Sequence, residues 1–281
     1  MKDNRMAIIG AQGKTGARVM NKLNALGLNP RGLSRHSEVM FDWARRDTWV
    51  PALTGVKALY VTYYPDLAVP QAEEDMSALV AVAKQVGIDH LVLLSGRGEE
   101  GAQRAEQVVI HSGLRWNVVR ASWFMQNFSE SFMAQGIAAG NLVLPEPNAT
   151  EPFIDAEDIA DVVVAAFTQP HLTDQLLEVT GPELLSFMDC VEKISSMIGR
   201  KVEFTPVPVE AYLAGAKAQG LPDDMAWLIN ELFVNVLDGR NESTTDTVWQ
   251  VLGRPARRFD QYLVDQAEAS IWCQSQENTD G

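Results

Sequence analysis

The sequence predicts an α/β fold of the doubly wound kind: a parallel sheet with helices on both faces, and a smaller, mostly helical C-terminal lobe. Three observations predict it. Short apolar runs alternate with helical stripes through the first part of the chain, which is the pattern of strand–helix–strand units. The strand segments are continuously apolar, as in sheets covered on both faces. A glycine-rich turn joins the first strand to the first helix, where such folds open a ligand crevice.

Residues 5–9, with β-branched Ile8 and Ile9, read as the first strand. Residues 17–26 carry Val19, Leu23 and Leu26 at helical spacing, and Gly27 with Pro30 ends that helix. A second strand covers 31–34 and a later one 57–62. The stretch 75–86 is a helix with Met76, Leu79, Val80, Val82 and Ala83 inward, stopped by Gly87. Strands at 90–94 and 116–120 flank a helix at 102–112. After about residue 126 the alternation weakens. Strands are expected at 141–144, 176–179 and 201–207, and helices at 156–167, 186–198, 209–218 and 222–237; segments 245–252 and 259–272 precede a polar, frayed end at 273–281. Residues 1–126 are therefore assigned to the core, and 127–281 mainly to a substrate-binding lobe from which later segments return to the sheet.

Hydrophobic residues make up 46% and charged residues 21% of the 281 positions, a globular composition. No apolar run is long enough to span a bilayer, and the opening Met1-Lys2-Asp3-Asn4-Arg5 has no apolar export signal. Cys190 and Cys273 lack metal-ligand spacing, so a cytoplasmic protein with free thiols and no metal is expected. The formal charge of −14 argues against a nucleic-acid surface, which needs a basic face. A small anion is still compatible with it, because amide dipoles and one or two arginines can hold a phosphate locally.

Gly10, Gly13 and Gly16 form a Gly-x-x-Gly-x-x-Gly turn between strand and helix. The first glycine permits the tight turn, the second lets a pyrophosphate approach the main chain, and the third lets helix and strand pack closely. This is the Rossmann-type dinucleotide fingerprint in its proper context. Gln12 and Thr15 belong to the same turn, and Lys14 either reaches a phosphate or is solvated. A NAD site commonly places an acid at the end of the second strand. Here that strand ends Leu33-Ser34-Arg35-His36. Arg35 offers a planar fork and Ser34 a hydroxyl for a 2′-phosphate, so NADP, with NADPH preferred over NADH, is the expected cofactor.

The turn Gly10-Ala11-Gln12-Gly13-Lys14-Thr15-Gly16 resembles that of NmrA-like atypical short-chain dehydrogenases. Phe41-Asp42-Trp43, Arg120-Ala121-Ser122-Trp123-Phe124-Met125-Gln126-Asn127-Phe128 and Phe153-Ile154-Asp155-Ala156-Glu157-Asp158 narrow the likeness to the branch of festuclavine-dehydrogenase-like and ergot-alkaloid-reductase-like proteins, near the NAD(P)H:quinone oxidoreductases. The resemblance implies that Asp42 and Trp43 follow a third strand and flank the adenine. It implies that Thr62 and Tyr63 line the dinucleotide and that Ser95 lies beside the nicotinamide. Tyr64, Trp123, Phe124, Asn127 and Phe128 would shape the pocket of a small-molecule substrate. Ordinary packing is the alternative for Trp43, Trp123 and Phe124, and a surface pair for Tyr63 and Tyr64.

The Tyr–Lys pair of a typical short-chain dehydrogenase is missing. The corresponding helix reads Glu99-Glu100-Gly101-Ala102-Gln103-Arg104-Ala105-Glu106, with Ala102 and Glu106 at the aligned positions. Two readings follow. The protein transfers hydride to an already electrophilic quinone-like, imine-like or other small aromatic substrate, with Tyr63, Ser95 or Arg97 as candidate catalytic groups. Or it binds NADP without turnover as a redox sensor, presenting the apolar stripe Met225, Leu228, Leu232 and Phe233 to a protein partner. The acids at 155–158 read as a helix-start cap.

Overall fold

The computed structural model describes residues 5–147, 149–268 and 271–272. Strand periodicity builds its centre. In β1 (Met6–Ile9), Ala7 and Ile9 enter one apolar layer and Ile8 the other, as the two-residue period requires. The neighbouring strands are β2 (Arg31–Leu33), β3 (Ala58–Val61), β4 (His90–Gly96) and β5 (Arg115–Ala121). Leu59, Leu91 and Val118 join Ala7 in the first layer, and Tyr60, Val92 and Val119 join Ile8 in the second. Both faces are thus dry, which explains strands that read as unbroken apolar runs.

Helices α2 (Trp49–Leu53), α3 (Ala72–Val86) and α4 (Glu100–Ile110) cover the first layer. Helices α1 (Lys14–Ala25) and α6 (Ala156–Thr168) lie side by side on the second. Salt bridges from Arg18 and Lys22 to Glu157 stitch their exposed edges. The six-stranded sheet runs β2-β1-β3-β4-β5-β7, with β7 at Gln175–Val179, and all its ladders are parallel. The chain leaves β1 to one side for β2 and returns to its other side for β3. That reversal opens the crevice at the carboxyl ends of β1 and β3.

The later segments divide their work. α6, β7 and α10 (Thr247–Leu252) return to the main sheet. A second lobe gathers α5 (Phe132–Ala139), α7 (Phe187–Ile198), α8 (Val209–Ala218), α9 (Asp223–Asn230) and α11 (Phe259–Glu268) beside a two-stranded parallel sheet of β6 (Asn141–Pro145) and β8 (Glu203–Val207). Phe128, Phe153, Phe187 and Phe259 interlock at its centre in edge-on and tilted pairs. Asp155 caps α6 by accepting from the Glu157 amide, the role its place before the apolar stripe predicts.

Several expectations need revision. No strand lies between β2 and Asp42. The segment instead folds back on itself, with the Phe41 amide on the Ser34 carbonyl and an isolated bridge between Asp42 and Arg45. The single helix expected at 222–237 is α9 followed by a π-helical segment, Glu231–Val236. The wider winding resets the helical phase, so Leu228 and Ile229 and then Phe233, Val236 and Leu237 are all buried. Of the apolar stripe, Leu228 and Phe233 thus serve the lobe's own core, while Leu232 lines the cleft. The closing segment expected at 259–272 contains α11, described over Phe259–Glu268. The short helices α2 and α5 lie in stretches with no assigned element. Cys190 is buried and free; Cys273 and the polar end at 273–281 lie outside the described residues.

Glu151 pairs with Leu185 through two main-chain bonds, and its side chain is buried. Burial pushes its carboxyl up to about 8, whereas an unfolded glutamate ionises near about pH 4. Between those values the native state binds the extra proton, so this group's contribution to stability falls as pH rises through the window. Glu151→Gln should therefore stabilise the protein at pH 8 and make little difference by about pH 5. Urea melts at the two pH values test this; an equal effect at both would refute it.

Candidate active site

The carboxyl ends of β1, β3, β4 and β5 open into one cleft of about 1070 Å³. Its first wall is the glycine turn. Gly10 has φ +72°, and a Cβ there would lie 2.2 Å from Thr62 Oγ1. A Cβ on Gly16 would lie 2.1 Å from the Gly10 carbonyl oxygen. Gly16 therefore lies behind the turn, as a packing residue, and does not line the cleft. Gly13 is the N-cap of α1 and supplies no side chain to cap it, and no acid stands in the first turn. The opening amides of a helix have no carbonyl four residues back. The turn thus offers N–H groups and a positive dipole end to the cleft, which suits a diphosphate.

Lys14 is not a loose surface lysine. Its Nζ donates to Asn127 Oδ1 at 3.0 Å, joining the turn to the second lobe, and burial pulls its pKa below the ordinary lysine value. Thr15 accepts from the buried Tyr60 hydroxyl at 3.0 Å. Gln12, Ser34 and Arg35 line the mouth. The Arg35 guanidinium lies 5.4 Å from the centre of the Tyr64 ring, and no carboxylate pairs with it among the described residues. Trp43 serves both packing and cleft. Its Nε1 donates to the Thr62 carbonyl at 3.1 Å, and its ring meets Phe41, Trp49 and Tyr63. Asp42 Oδ1 accepts from the Ala44 amide.

The three catalytic candidates are already engaged. Tyr63 donates its hydroxyl proton to Asp75 at 2.7 Å, and burial followed by that bond pushes the phenol up. Ser95 donates to Glu106 at 2.6 Å. Glu106 is wholly buried and also accepts two bonds from Arg120, at 2.9 and 2.5 Å. Arg120 and Arg97 both reach Glu178. The remaining Arg97 donors hold Asn241 and Ser243. These groups form a strut that ties β4, β5, β7 and the 241–243 segment together, with no hydroxyl proton left over for a substrate.

On the opposite wall, Trp123 packs edge-on against Phe187 and Phe233 while lining the cleft with Phe124 and Asn127. Phe128 departs from expectation. It is fully buried in the lobe core, and its carbonyl accepts from Trp272 Nε1. The turn beginning at Met125 swings it away from the cleft. Among the cleft-lining acids that sequence reasoning missed are Asp66 and Glu99. Their only signal was a position after a strand end, which surface acids share.

The family model described as "NmrA-like family" matches residues 39–263. The chain belongs to the NmrA-like family. The NAD(P)H azoreductase of Xenophilus azovorans is 32% identical over 263 residues, covering 90% of this chain and 89% of that protein. Festuclavine synthase II of Penicillium roqueforti is 27% identical, covering 95% and 99%. The NADPH complex of the quinone oxidoreductase QOR2 of Escherichia coli superposes with a TM-score of 0.77 at 16% identity, covering 93% and 99%; at that identity the likeness is one of fold. The chain is an NAD(P)H-dependent oxidoreductase. No helix among the described residues is long and apolar enough to cross a membrane.

Arg120→Ala would leave the Glu106 carboxylate buried without its cation. Removing one partner of such a pair costs about 3–5 kcal/mol. The urea midpoint should drop accordingly, and Glu106→Gln in the same background should recover part of the loss. An unchanged midpoint would show that the pair is not needed.

Proposed function

We propose that the protein uses NADPH in preference to NADH to reduce a small, flat, conjugated acceptor, quinone-like, imine-like or azo-like. One observation carries the reading: a glycine turn without a side-chain cap, at the start of a twelve-residue helix and at the point where the strand order reverses. Gly10, Gln12, Gly13, Lys14 and Thr15 would hold the diphosphate, and Ser34 and Arg35 the 2′-phosphate. Asp42 and Trp43 would flank the adenine. Thr62, Tyr63 and Ser95 would line the nicotinamide side. Bound there, the reduced nicotinamide supplies a hydride.

The chain's own contribution is positioning. Trp123, Phe124 and Tyr64 give aromatic walls for a planar acceptor. Asn127 is held by Lys14, so the pocket wall and the cofactor turn are fixed to each other. The relatives' names support this acceptor class: an azoreductase and a quinone oxidoreductase act on conjugated acceptors. Cofactor binding alone, without turnover, was the competing reading. Leu228 and Phe233 of the stripe that reading relied on are buried in the lobe, which favours turnover over a partner surface there.

Gly13→Asp provides a sharp test. An aspartate at the N-cap would bond the first-turn amides itself and, relative to glycine, stabilise the helix by about a few tenths of a kcal/mol. It would also fill and charge the place proposed for the diphosphate. NADPH binding should be lost while thermal stability holds or rises; retained binding would remove the reading. Arg35→Ala should weaken NADPH at least about tenfold and leave NADH nearly unchanged, because charge-assisted bonds contribute about 1.5–3 kcal/mol. Fluorescence titration of both coenzymes reads this out, and equal losses for both would count against the 2′-phosphate role.

A further inference from the structure

Where the cleft meets the ends of β4 and β5, two buried polar atoms lack partners, Ser122 Oγ and Glu99 Oε2. Both residues line the cleft. Glu99 is 8% exposed. It stands at the N-cap of α4 yet makes no capping bond, although a carboxylate there would ordinarily accept from the first-turn amides. Its carboxyl is instead laid over Gly96. A Cβ on Gly96 would lie 2.0 Å from Glu99 Oε1, so only glycine makes room for it. Gly96 is paired with Ala121 at the ends of the two strands, next to Ser122 and Trp123. The Asp66 carboxyl, from the loop after β3, adjoins the Glu99 carboxyl closely enough that each shifts the other's ionisation. Two buried carboxyls so placed favour a state in which one carries a proton.

The geometry points to Glu99 as the acid that protonates the substrate, with Asp66 as the positioning residue that keeps the proton on the pair. This rests on the cofactor reading above. The charge environment agrees. Burial raises Glu99 well above the ordinary carboxyl range, and Asp66, Glu106 and Glu231 add to it. Arg240, whose guanidinium donates to the Gly98 carbonyl at 3.2 Å, is paired with Asp238. A carboxyl with its pKa raised toward neutrality by burial is suited to donate a proton at pH 7. The step balances. A hydride with its electron pair, from the reduced nicotinamide, bonds one end of a C=O or N=N group and the π bond breaks. The Glu99 O–H bond breaks, and its proton bonds the other end. The carboxylate left behind faces Asp66 and is reprotonated from water. The group thus takes the place of the absent tyrosine.

Glu99→Gln keeps size and polarity and removes the titrating proton. NADPH affinity should stay within about twofold, while kcat at pH 7 for a quinone or azo dye should fall about 100-fold or more. The descent of the wild-type rate at high pH should vanish with it. A preformed iminium cation needs hydride but no proton, so its reduction should be unaffected, whereas a merely structural role would slow both substrate kinds. Asp66→Asn should move the descending limb to lower pH. A second readout does not depend on turnover: in the cofactor-free protein, the infrared difference between wild type and Glu99→Gln should contain a protonated-carboxyl stretch at pH 7. Absence of that band, or a wild-type pH profile and kcat in Glu99→Gln, would overturn the role of Glu99 alone. Failure of the wild type to bind NADPH would overturn the cofactor reading itself.

Discussion

The contact on which the structure turns is the approach of α1 to β1 and β3 through bare main chain. Gly16 sits against the Gly10 carbonyl, and Gly10 in turn sits against Thr62 Oγ1, with less space at each glycine than a single Cβ needs. Three elements therefore meet at one point. Their union fixes the direction of α1 and aims its free amides along the ends of the strands. It also sets Lys14 where it can span to Asn127 and hold the second lobe. A side chain at either glycine would push the helix outward and misdirect every group that follows.

Charge is distributed to match. The protein carries −14 overall, yet the glycine turn has no acid in its helix start and has Lys14 and Arg35 beside it. Asp66 and Glu99 stand away from that turn, while Glu130, which also lines the cleft, is paired with Arg18. An anionic phosphate group would be attracted locally despite the net charge, because fields from amide dipoles and nearby cations act over a few ångströms while distant surface charge is screened. The reacting end is left negative and apolar-walled. It can therefore retain a proton that bulk water would remove from an ordinary carboxyl.

The fold was legible in the sequence because it rests on periodicity. Val19 and Leu23, or Ile8 between Ala7 and Ile9, report their own burial by spacing. The glycine turn was legible because only glycine satisfies its geometry. What could not be read is what a side chain meets across the sheet. Ser95, Arg97 and Tyr63 have the right residue types at the right strand ends, yet Glu106, Glu178 and Asp75 take up their hydrogen bonds from elsewhere in the chain. Phe128 lies one residue past Asn127, but the turn from Met125 sends the first to the core and leaves the second in the cleft. The strand expected before Asp42 failed for a similar reason. Ser34 and Ser37 bond their own loop, and local side-chain bonds of that kind compete with a sheet ladder.

Glu99 and Glu106 show why the proton donor in particular escapes a reading by residue type. They stand seven positions apart on one side of α4, both acidic and both buried. Glu106 accepts three hydrogen bonds, one from Ser95 and two from Arg120; such a carboxyl is fully occupied and serves as a brace. Glu99 meets another carboxyl and an open cleft, with no guanidinium on its oxygens. The first environment stabilises a charge and the second a proton. A chain without a tyrosine in that helix need not lack acid chemistry, because burial beside a like-charged partner favours the protonated form of a glutamate. That donor is created by the Gly96 gap and the Asp66 loop together, so it can be recognised only when both are seen in space.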